Sequence, residues 1–476
     1  MSVIVWFRRD LRLADNPALS AAVARGEPVI PVYLLDPDVT LGGASQWWLH
    51  GSLEALARDL ERLGAPLILR RGIAAEVIPA LLRETQAGSI HWNRRYEPSA
   101  MARDSDLKTK LVAAGVEVRS FNGSLLAEPR EVKTAAGGPY KVFTPFWHAL
   151  LGKEPFAPPL PAPLVMKTVS GLPSDDLASW ALRPVTPDWA GGLRAAWRPG
   201  EISAARGLAG FLDKNVQSYK EERDKPAIAS SRMSPHLHWG EISPRLIWHA
   251  ADMHAQENPA AASGVAAFRR QLGWREFCAH LLYRWPGIVD HAWKPEYENF
   301  AWRNDETSFR LWARGQTGYP IVDAGMRELW RTGWMHNRVR MIAASFLVKD
   351  LLIDWRRGAD WFEDTLVDAD LANNRCGWQW VAGSGADASP FFRIFNPVTQ
   401  GEKFDPAGDY VRTHVSELGR LDPRFIHRPW EASGAALADA GIVLGENYPM
   451  PMVDHAAARL RALGALANMK TQRAER

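Results

Sequence analysis

Five short apolar runs punctuate the N-terminal part of the chain, at residues 3–7, 29–35, 66–70, 89–93 and 116–121. Each has the length of a buried strand. Between them the apolar positions recur at helical spacing. Residues 46–63 carry Trp48, Leu49, Leu53, Leu56, Leu60 and Leu63 at that period. Residues 16–24 follow a turn-like Asp15-Asn16-Pro17, and 74–85 and 101–114 fill the next two gaps. Strand alternating with helix predicts a doubly wound α/β domain over 1–130, a parallel sheet with helices on both faces. No GxGxxG follows the first strand and no GxxxxGK[ST] occurs, so neither dinucleotide nor nucleoside-triphosphate binding of those kinds is supported.

Periodicity is lost over 131–199. Pro155, Pro158, Pro159, Pro161, Pro163, Pro173, Pro184 and Pro187 crowd this stretch, which reads as an interdomain connector lying over the surface. From about residue 200 the spacing becomes helical throughout. Ser243-Pro244 is a cap and first-turn signal before a helix over 245–255. Further helices are expected over 267–283 and 332–355. An all-α domain over 200–476 follows, with a polar tail, 469–476, expected to fray.

Composition narrows the class. The chain has 476 residues, 46% of them hydrophobic, and a formal net charge of +3. A polyanion partner fits that balance without being demanded by it. Two cysteines, Cys278 and Cys376, are too few for a disulfide framework, which points to a reducing compartment. There is no signal-peptide pattern at the start and no apolar run of membrane-spanning length. The expectation is a cytoplasmic monomer with no membrane association. Of 22 tryptophans, only Trp6, Trp47, Trp48, Trp92 and Trp147 precede residue 151, which places the aromatic chemistry in the later two-thirds.

Several stretches combine polar and aromatic residues. Residues 361–397 hold Asp368, Asp370, Asn374, Trp378 and Trp380, a set suited to the polar edge and flat face of a heteroaromatic cofactor. The same residues also fit a capped helix on an aromatic core. Ser230, Ser231 and Ser234 precede a helix start, either as a phosphate cradle or as a simple cap. Gln271 and Trp274 share one helix face, which fits a planar ligand or an amphipathic core helix. Asn337, Arg338, Arg340 and Met341 crowd one helix; a buried arginine there needs a carboxylate, and Asp368 is the candidate. The run 391–405 interleaves aromatics with Arg393 and Lys403, as nucleic-acid surfaces and solvated turns both do. No HExxH, CxxC or GxSxG is present, so neither a metal site nor a hydrolase nucleophile of those types is supported.

Taken together, these words resemble the photolyase/cryptochrome family over nearly the whole chain. WFRRDLRLADNPAL (6–19), KVFTPF (141–146), SSRMSP (230–235), GWREF (273–277) and GYPIVDAGMREL (318–329) carry the likeness. TGWMHNRVRM (332–341), FLVKDLLIDWRRG (346–358), DADLANN (368–374), GWQW (377–380) and RIFNP (393–397) continue it. Within the family the chain looks most like microbial cyclobutane pyrimidine dimer photolyases. The resemblance implies FAD in the helical domain and light-driven electron transfer to a flipped-out dimer in damaged DNA. It assigns Tyr219, Ser230, Ser231, Arg232, Met233 and Ser234 to the FAD phosphates and ribityl chain. It pairs Arg340 with Asp368 beneath the flavin, puts Asp370 at the ring edge, and turns Asn374 to the flavin N5. Gln271, Trp274, Asn337, Met341 and Trp380 would surround the dimer, and Arg223, Arg338 and Lys403 would grip phosphates. Trp378, Trp355 and Trp302 would relay electrons to the flavin. Glu97 would bond a second, antenna chromophore, methenyltetrahydrofolate first and an 8-hydroxy-deazaflavin second. Gln271 departs from the glutamate usual in dimer photolyases, which leaves a cryptochrome-type blue-light receptor as the alternative.

Overall fold

The structure, a computed structural model, describes residues 2–37, 40–228, 230–388 and 392–474. The chain forms two compact units. One comprises 1–220, 231–286 and 367–372; the other comprises 221–230, 287–366 and 373–476. The compositional boundary near residue 200 lies inside the first.

In the first unit the expected sheet is present. Strands β1 (Val3–Phe7), β2 (Val29–Leu35), β3 (Ile68–Arg71), β4 (Ser89–Asn93) and β5 (Glu117–Phe121) are parallel in the order β3-β2-β1-β4-β5. Helices α1 (Pro17–Val23), α2 (Gly43–Glu61), α3 (Ala74–Thr85) and α4 (Pro98–Ala113) occur where the periodicity changes. Side chains alternate across the sheet. Ile4, Trp6, Val32, Ile90 and Trp92 pack with Ile78, Leu81 and Leu82 of α3 and Leu107 and Leu111 of α4. The opposite face meets α1, whose Ala18 N–H donates to Asn93 Oδ1 at 3.3 Å and whose Ala18 carbonyl lies 3.4 Å from His91 Nδ1. Both faces of β1, β2 and β4 are covered, whereas the edge strand β5, Glu117–Phe121, is exposed or half-buried along its length. Each fully buried large side chain contributes about 1.5–3 kcal/mol.

The proline-rich stretch is less detached than expected. It contains a helix, α5 (Phe143–Leu151), that the surrounding prolines concealed. It also covers the outer edge of β3: Leu69 N–H donates to Ser174 Oγ at 2.9 Å, and Asp175 N–H donates to the Leu69 carbonyl at 2.9 Å. An edge strand left bare would expose unpaired backbone groups, and this segment pairs them.

The helical pattern holds over Pro244–Glu257, where Ser243 Oγ accepts Leu246 N–H at 2.9 Å, and over Ala262–Arg284. The single helix expected over 332–355 is not formed. Gly333, at φ 67°, ends the helix Pro320–Thr332, and His336 caps a separate helix, Asn337–Ser345. A π turn, Phe346–Asp350, follows, and Leu352 adopts φ 54° before Asp354 caps Trp355–Thr365. Lys349 and Asp350 account for the break, because both are fully buried and need partners. Lys349 Nζ donates to the Ala382 carbonyl at 2.6 Å, and Asp350 Oδ1 pairs with His455 Nδ1 at 2.5 Å. The tail does not fray at 469. The last helix, His455–Ala474, runs on with Met469 buried beside Ala462; residues 475–476 lie outside the described residues. Among the described residues no helix is long and apolar enough to cross a membrane.

Gly240 sits at φ 67°, and a methyl group there would overlap the Arg9 carbonyl. Left-handed strain and overlap add, so Gly240→Ala should cost about 3 kcal/mol or more. The check is the urea midpoint followed by circular dichroism.

Candidate functional site

The serine segment of the first unit is held from below. Glu241, fully buried, accepts from Trp48 Nε1 at 3.1 Å, Ser52 Oγ at 2.5 Å and Gly200 N–H at 2.7 Å, and pairs with His236. Three residues before His236, Met233 is buried, and Arg232 adopts φ 50°, its guanidinium 4.7 Å from the Trp197 ring. Ser231 is half-buried and Ser234 is exposed at the start of the short helix Ser234–His238. Tyr219 stands edge-on to Phe211 at 5.4 Å and Phe268 at 5.8 Å. In the same unit Trp239 Nε1 donates to the Val367 carbonyl at 3.1 Å, which anchors the strip bearing buried Asp368 and half-buried Asp370. Hydroxyls with a guanidinium suit phosphate, and carboxylates suit the N–H edge of a flavin, so this donor set fits FAD. Ser230, Arg340 and Asn374 belong to the second unit.

Trp274 of the first unit is half-buried and lies flat on Phe143 of α5, ring centroids 3.7 Å apart and planes 6° apart. Arg270 covers Phe143 at 4.8 Å, and Gly273 lets the Trp147 ring approach the helix where a methyl group would collide. Gln271 Nε2 donates to the Ala267 carbonyl at 3.3 Å within its own helix.

In the second unit three expected phosphate ligands from distant stretches converge. Arg338 Nη2 meets Asp224 Oδ2 at 2.6 Å, Arg223 Nε lies 3.8 Å from Asp224 Oδ1, and both Arg338 and Lys403 face the Phe404 ring, at 4.4 and 5.2 Å. The helix behind them starts on His336, whose Nδ1 accepts Arg338 N–H at 3.2 Å while the ring also bonds the Arg223 backbone. Accepting at Nδ1 requires the neutral ring, and burial pushes this imidazole down to about 4. Asn337 is exposed and Met341 half-buried. Arg340 Nε donates to the Met335 carbonyl at 2.7 Å. Phe391, the first residue of the aromatic-basic run, lies outside the described residues.

Asn374 Nδ2 donates to the Ala359 carbonyl at 2.9 Å. One helical turn on, Trp378 is buried against Gly358, where a methyl group would strike its ring. Trp355 is buried with Arg356 at 4.9 Å, Trp302 is half-buried 4.4 Å from Phe300, and Trp380 is half-buried. The sequence did not single out a further run of rings. Trp378 meets Trp312 at 6.2 Å, Trp312 meets Phe309 at 5.7 Å, Phe309 meets Trp361 at 6.1 Å, and Trp361 stacks at 6.0 Å on Trp330, which is 62% exposed.

A pocket at the carboxyl ends of β1 and β2 is lined by Trp6, Arg8, Arg9, Tyr33, Arg95 and Trp239, among others. Two buried donors in its lining, Trp6 Nε1 and Arg8 Nε, have no protein partner. Glu97 is gripped by Arg95 through two bonds, at 2.6 and 3.1 Å, and by Arg9 at 3.5 Å; despite burial these arginines hold its carboxyl far below the usual range. Among the described residues no group of three His, Cys, Asp or Glu side chains could hold a metal ion.

Residues 3–164 match the family described as DNA photolyase, and residues 268–468 match the FAD binding domain of DNA photolyase. Deoxyribodipyrimidine photo-lyase of Agrobacterium fabrum is 54% identical over 98% of both chains. The chain belongs to the photolyase/cryptochrome family. The crystal structure of a bacterial class III photolyase from Agrobacterium tumefaciens superposes with a TM-score of 0.96 at 53% identity, covering 99% of this chain and 98% of that one. Cryptochrome-1 of Arabidopsis thaliana is 40% identical over 98% of this chain and 70% of its own length. The FAD-binding match spans Gln271, Trp274, Arg340, Asp368, Asp370 and Asn374; Tyr219 and 230–234 lie before it. The sequence words did not single out Asp224, nor the stacking of Phe143 on Trp274, because a carboxylate beside an arginine and one ring within KVFTPF carry no local signal of such pairing.

His336 supplies the pH prediction. Its folded pKa is depressed, so its contribution is present above the unfolded value of 6.5 and is lost as pH falls toward about 4. His336→Ala should cost about 1 kcal/mol at pH 7.5 through the lost cap. The gap to the unsubstituted protein should narrow between pH 6.5 and 4, as read from urea unfolding across pH.

Proposed function

We propose that this chain is a deoxyribodipyrimidine photolyase, an enzyme that uses light and FAD to reverse cyclobutane pyrimidine dimers in DNA. The convergence of Arg223, Arg338 and Lys403 around one half-exposed patch carries the reading, because clustered cations beside an aromatic ring suit a nucleic-acid backbone. The likeness to photolyases along the whole chain supports it independently.

Bound reduced FAD supplies the photochemistry, an electron lent under light to a dimer whose cyclobutane bonds then open. The chain's own residues hold and shield. Tyr219, Ser230, Ser231, Arg232, Met233 and Ser234 bind the phosphate and ribityl portions. Asp368 and Asp370 accept from the polar ring edge. Asn374 offers a neutral amide where a carboxylate would oppose negative charge. Trp274 and Trp380 stack on the extruded dimer, with Gln271, Asn337 and Met341 around its edge, and exclude water. Arg223, Arg338 and Lys403 take the flanking phosphates. Trp378, Trp355 and Trp302 pass electrons inward to recharge the cofactor, and the rings from Trp312 to Trp330 offer a parallel path.

A second chromophore fits the strand-end pocket better than Glu97 itself. The arginines that grip Glu97 line that pocket, and the unpartnered Trp6 Nε1 and Arg8 Nε suit a flat, anionic ligand, a folate or an 8-hydroxy-deazaflavin. A blue-light receptor is the second reading. Gln271 and the likeness to Cryptochrome-1 favour it.

Light-driven loss of dimers by the unsubstituted protein, Gln271→Ala and Gln271→Glu, each with reduced FAD, separates the two. Repair by the first and third is expected. Gln271→Ala should weaken dimer binding by about 1–3 kcal/mol, because it leaves polar groups of the lesion unpaired. Robust flavin photoreduction with no repair by any of them would favour the receptor. Trp378→Phe should block photoreduction of oxidised FAD and spare repair once the flavin is chemically reduced. Unimpaired photoreduction would make Trp378 a packing residue.

A further inference from the structure

We propose that Asp224 is a built-in stand-in for a DNA phosphate, which occupies Arg338 and Arg223 in the free protein and must yield to the incoming strand. The inference rests on the photolyase reading of the Arg223, Arg338 and Lys403 patch. The carboxylate lies in the position a phosphate would take: 2.6 Å from Arg338 Nη2 and 3.8 Å from Arg223 Nε. Arg338 is presented for such a contact. Its guanidinium rests on Phe404 at 4.4 Å, its side chain is 16% exposed, and its buried Nε–H has no protein partner. Asp224, with 36% side-chain exposure, has room to swing into water once displaced. His336 fixes both sides of the pair, bonding the Arg223 backbone on one and capping the helix at Arg338 on the other, so the two arginines keep their places when the carboxylate leaves.

The consequence is electrostatic. Three cations and one carboxylate offer a strand less attraction than three cations alone, and a phosphate must replace an ion pair already made. The penalty falls on the backbone contact, which every sequence shares, and not on the contacts to the lesion. Asp224 therefore lowers affinity for intact and damaged duplex alike. That shortens residence on undamaged DNA, where an enzyme hunting rare lesions spends most of its time.

The test is fluorescence anisotropy with the FAD-loaded full chain, on one duplex with a dimer and one without, over a series of salt concentrations. Asp224→Asn keeps the shape and a carbonyl for Arg338 but removes the charge. Its binding to both duplexes should tighten by about 3- to 10-fold, with the log–log salt slope steeper by roughly 1. Asp224→Ser should shift both duplexes in the same direction. Unaltered flavin absorbance shows that each variant is folded, and Arg338→Ala should weaken both duplexes. If Arg338→Ala weakens binding while Asp224→Asn and Asp224→Ser leave it unchanged or weaken it, Asp224 merely orients Arg338 and the proposal is overturned. If Arg338→Ala binds as tightly as the unsubstituted protein, the phosphate reading of the patch fails, and the proposal with it.

Discussion

A buried carboxylate holds the first unit together. Glu241 is wholly removed from water, and an ionised carboxyl there costs several kcal/mol unless donors replace its hydration. Four do: the Trp48 indole, the Ser52 hydroxyl, the Gly200 amide and His236. They come from three parts of the architecture. Trp48 and Ser52 belong to α2 beside the sheet, Gly200 opens the helix Glu201–Lys214, and His236 follows the serine segment. The backbone that would face a phosphate is thus set by the α/β layer. Arg12 extends the same logic, donating to the carbonyls of Ala14, Asp15, Gly123 and Gly240. Its four acceptors pin the loop after β1.

The second unit uses buried polar groups in a similar way, but to interrupt helices rather than join layers. Lys349 and Asp350 could not be buried on a regular helix continuing from Ser345 and still find Ala382 and His455. The π turn widens the backbone at that point, a local cost that the two satisfied groups offset. Glu328 plays a related part, accepting from the Tyr410 hydroxyl at 2.7 Å and the His336 amide at 3.4 Å just before the helix of Asn337 and Arg338 begins. The side chains proposed to meet DNA stand on a helix whose first turn is fixed by buried bonds, which is what keeps long arginine side chains aimed.

This division explains what was legible in the sequence. The central strands β1, β2 and β4 could be read because they are buried on both faces, and the half-exposed edge strand β5 because helical spacing stops before it. The helix boundaries around 332–355 could not. Only Gly333 marks the first break locally, and the second depends on partners, Ala382 and His455, that are remote in sequence. The proline-rich stretch misled for a related reason: proline argues against regular structure, yet α5 fits between Val142 and Gly152, and the rest finds its hydrogen bonds at the edge of β3. The candidate site residues were named through family words and not through chemistry alone. The stretch holding Asp368, Asn374 and Trp378 was equally a capped helix by composition. What no word carried was pairing across the chain, Asp224 with Arg338 and Phe143 with Trp274.

Gln271 brings these strands of argument to one residue. In the proposed reading its amide must face the edge of a flipped thymine pair, which presents both N–H donors and carbonyl acceptors. An ionised carboxylate at this place offers acceptors only, and its charge opposes the electron that the dimer must receive; it suits the task only when protonated. The amide is neutral at every pH. One of its hydrogens is engaged by the Ala267 carbonyl, which fixes the side chain along its own helix. The other hydrogen and Oε1 remain, one donor and one acceptor side by side, complementary to an N–H and a carbonyl on a base. Beside it Trp274 is pinned face to face on Phe143, so the ring cannot rotate to suit a misplaced ligand. In the proposed reading a glutamine here exchanges a group that needs a proton for one that needs a fixed geometry, and the bond to the Ala267 carbonyl is what supplies it.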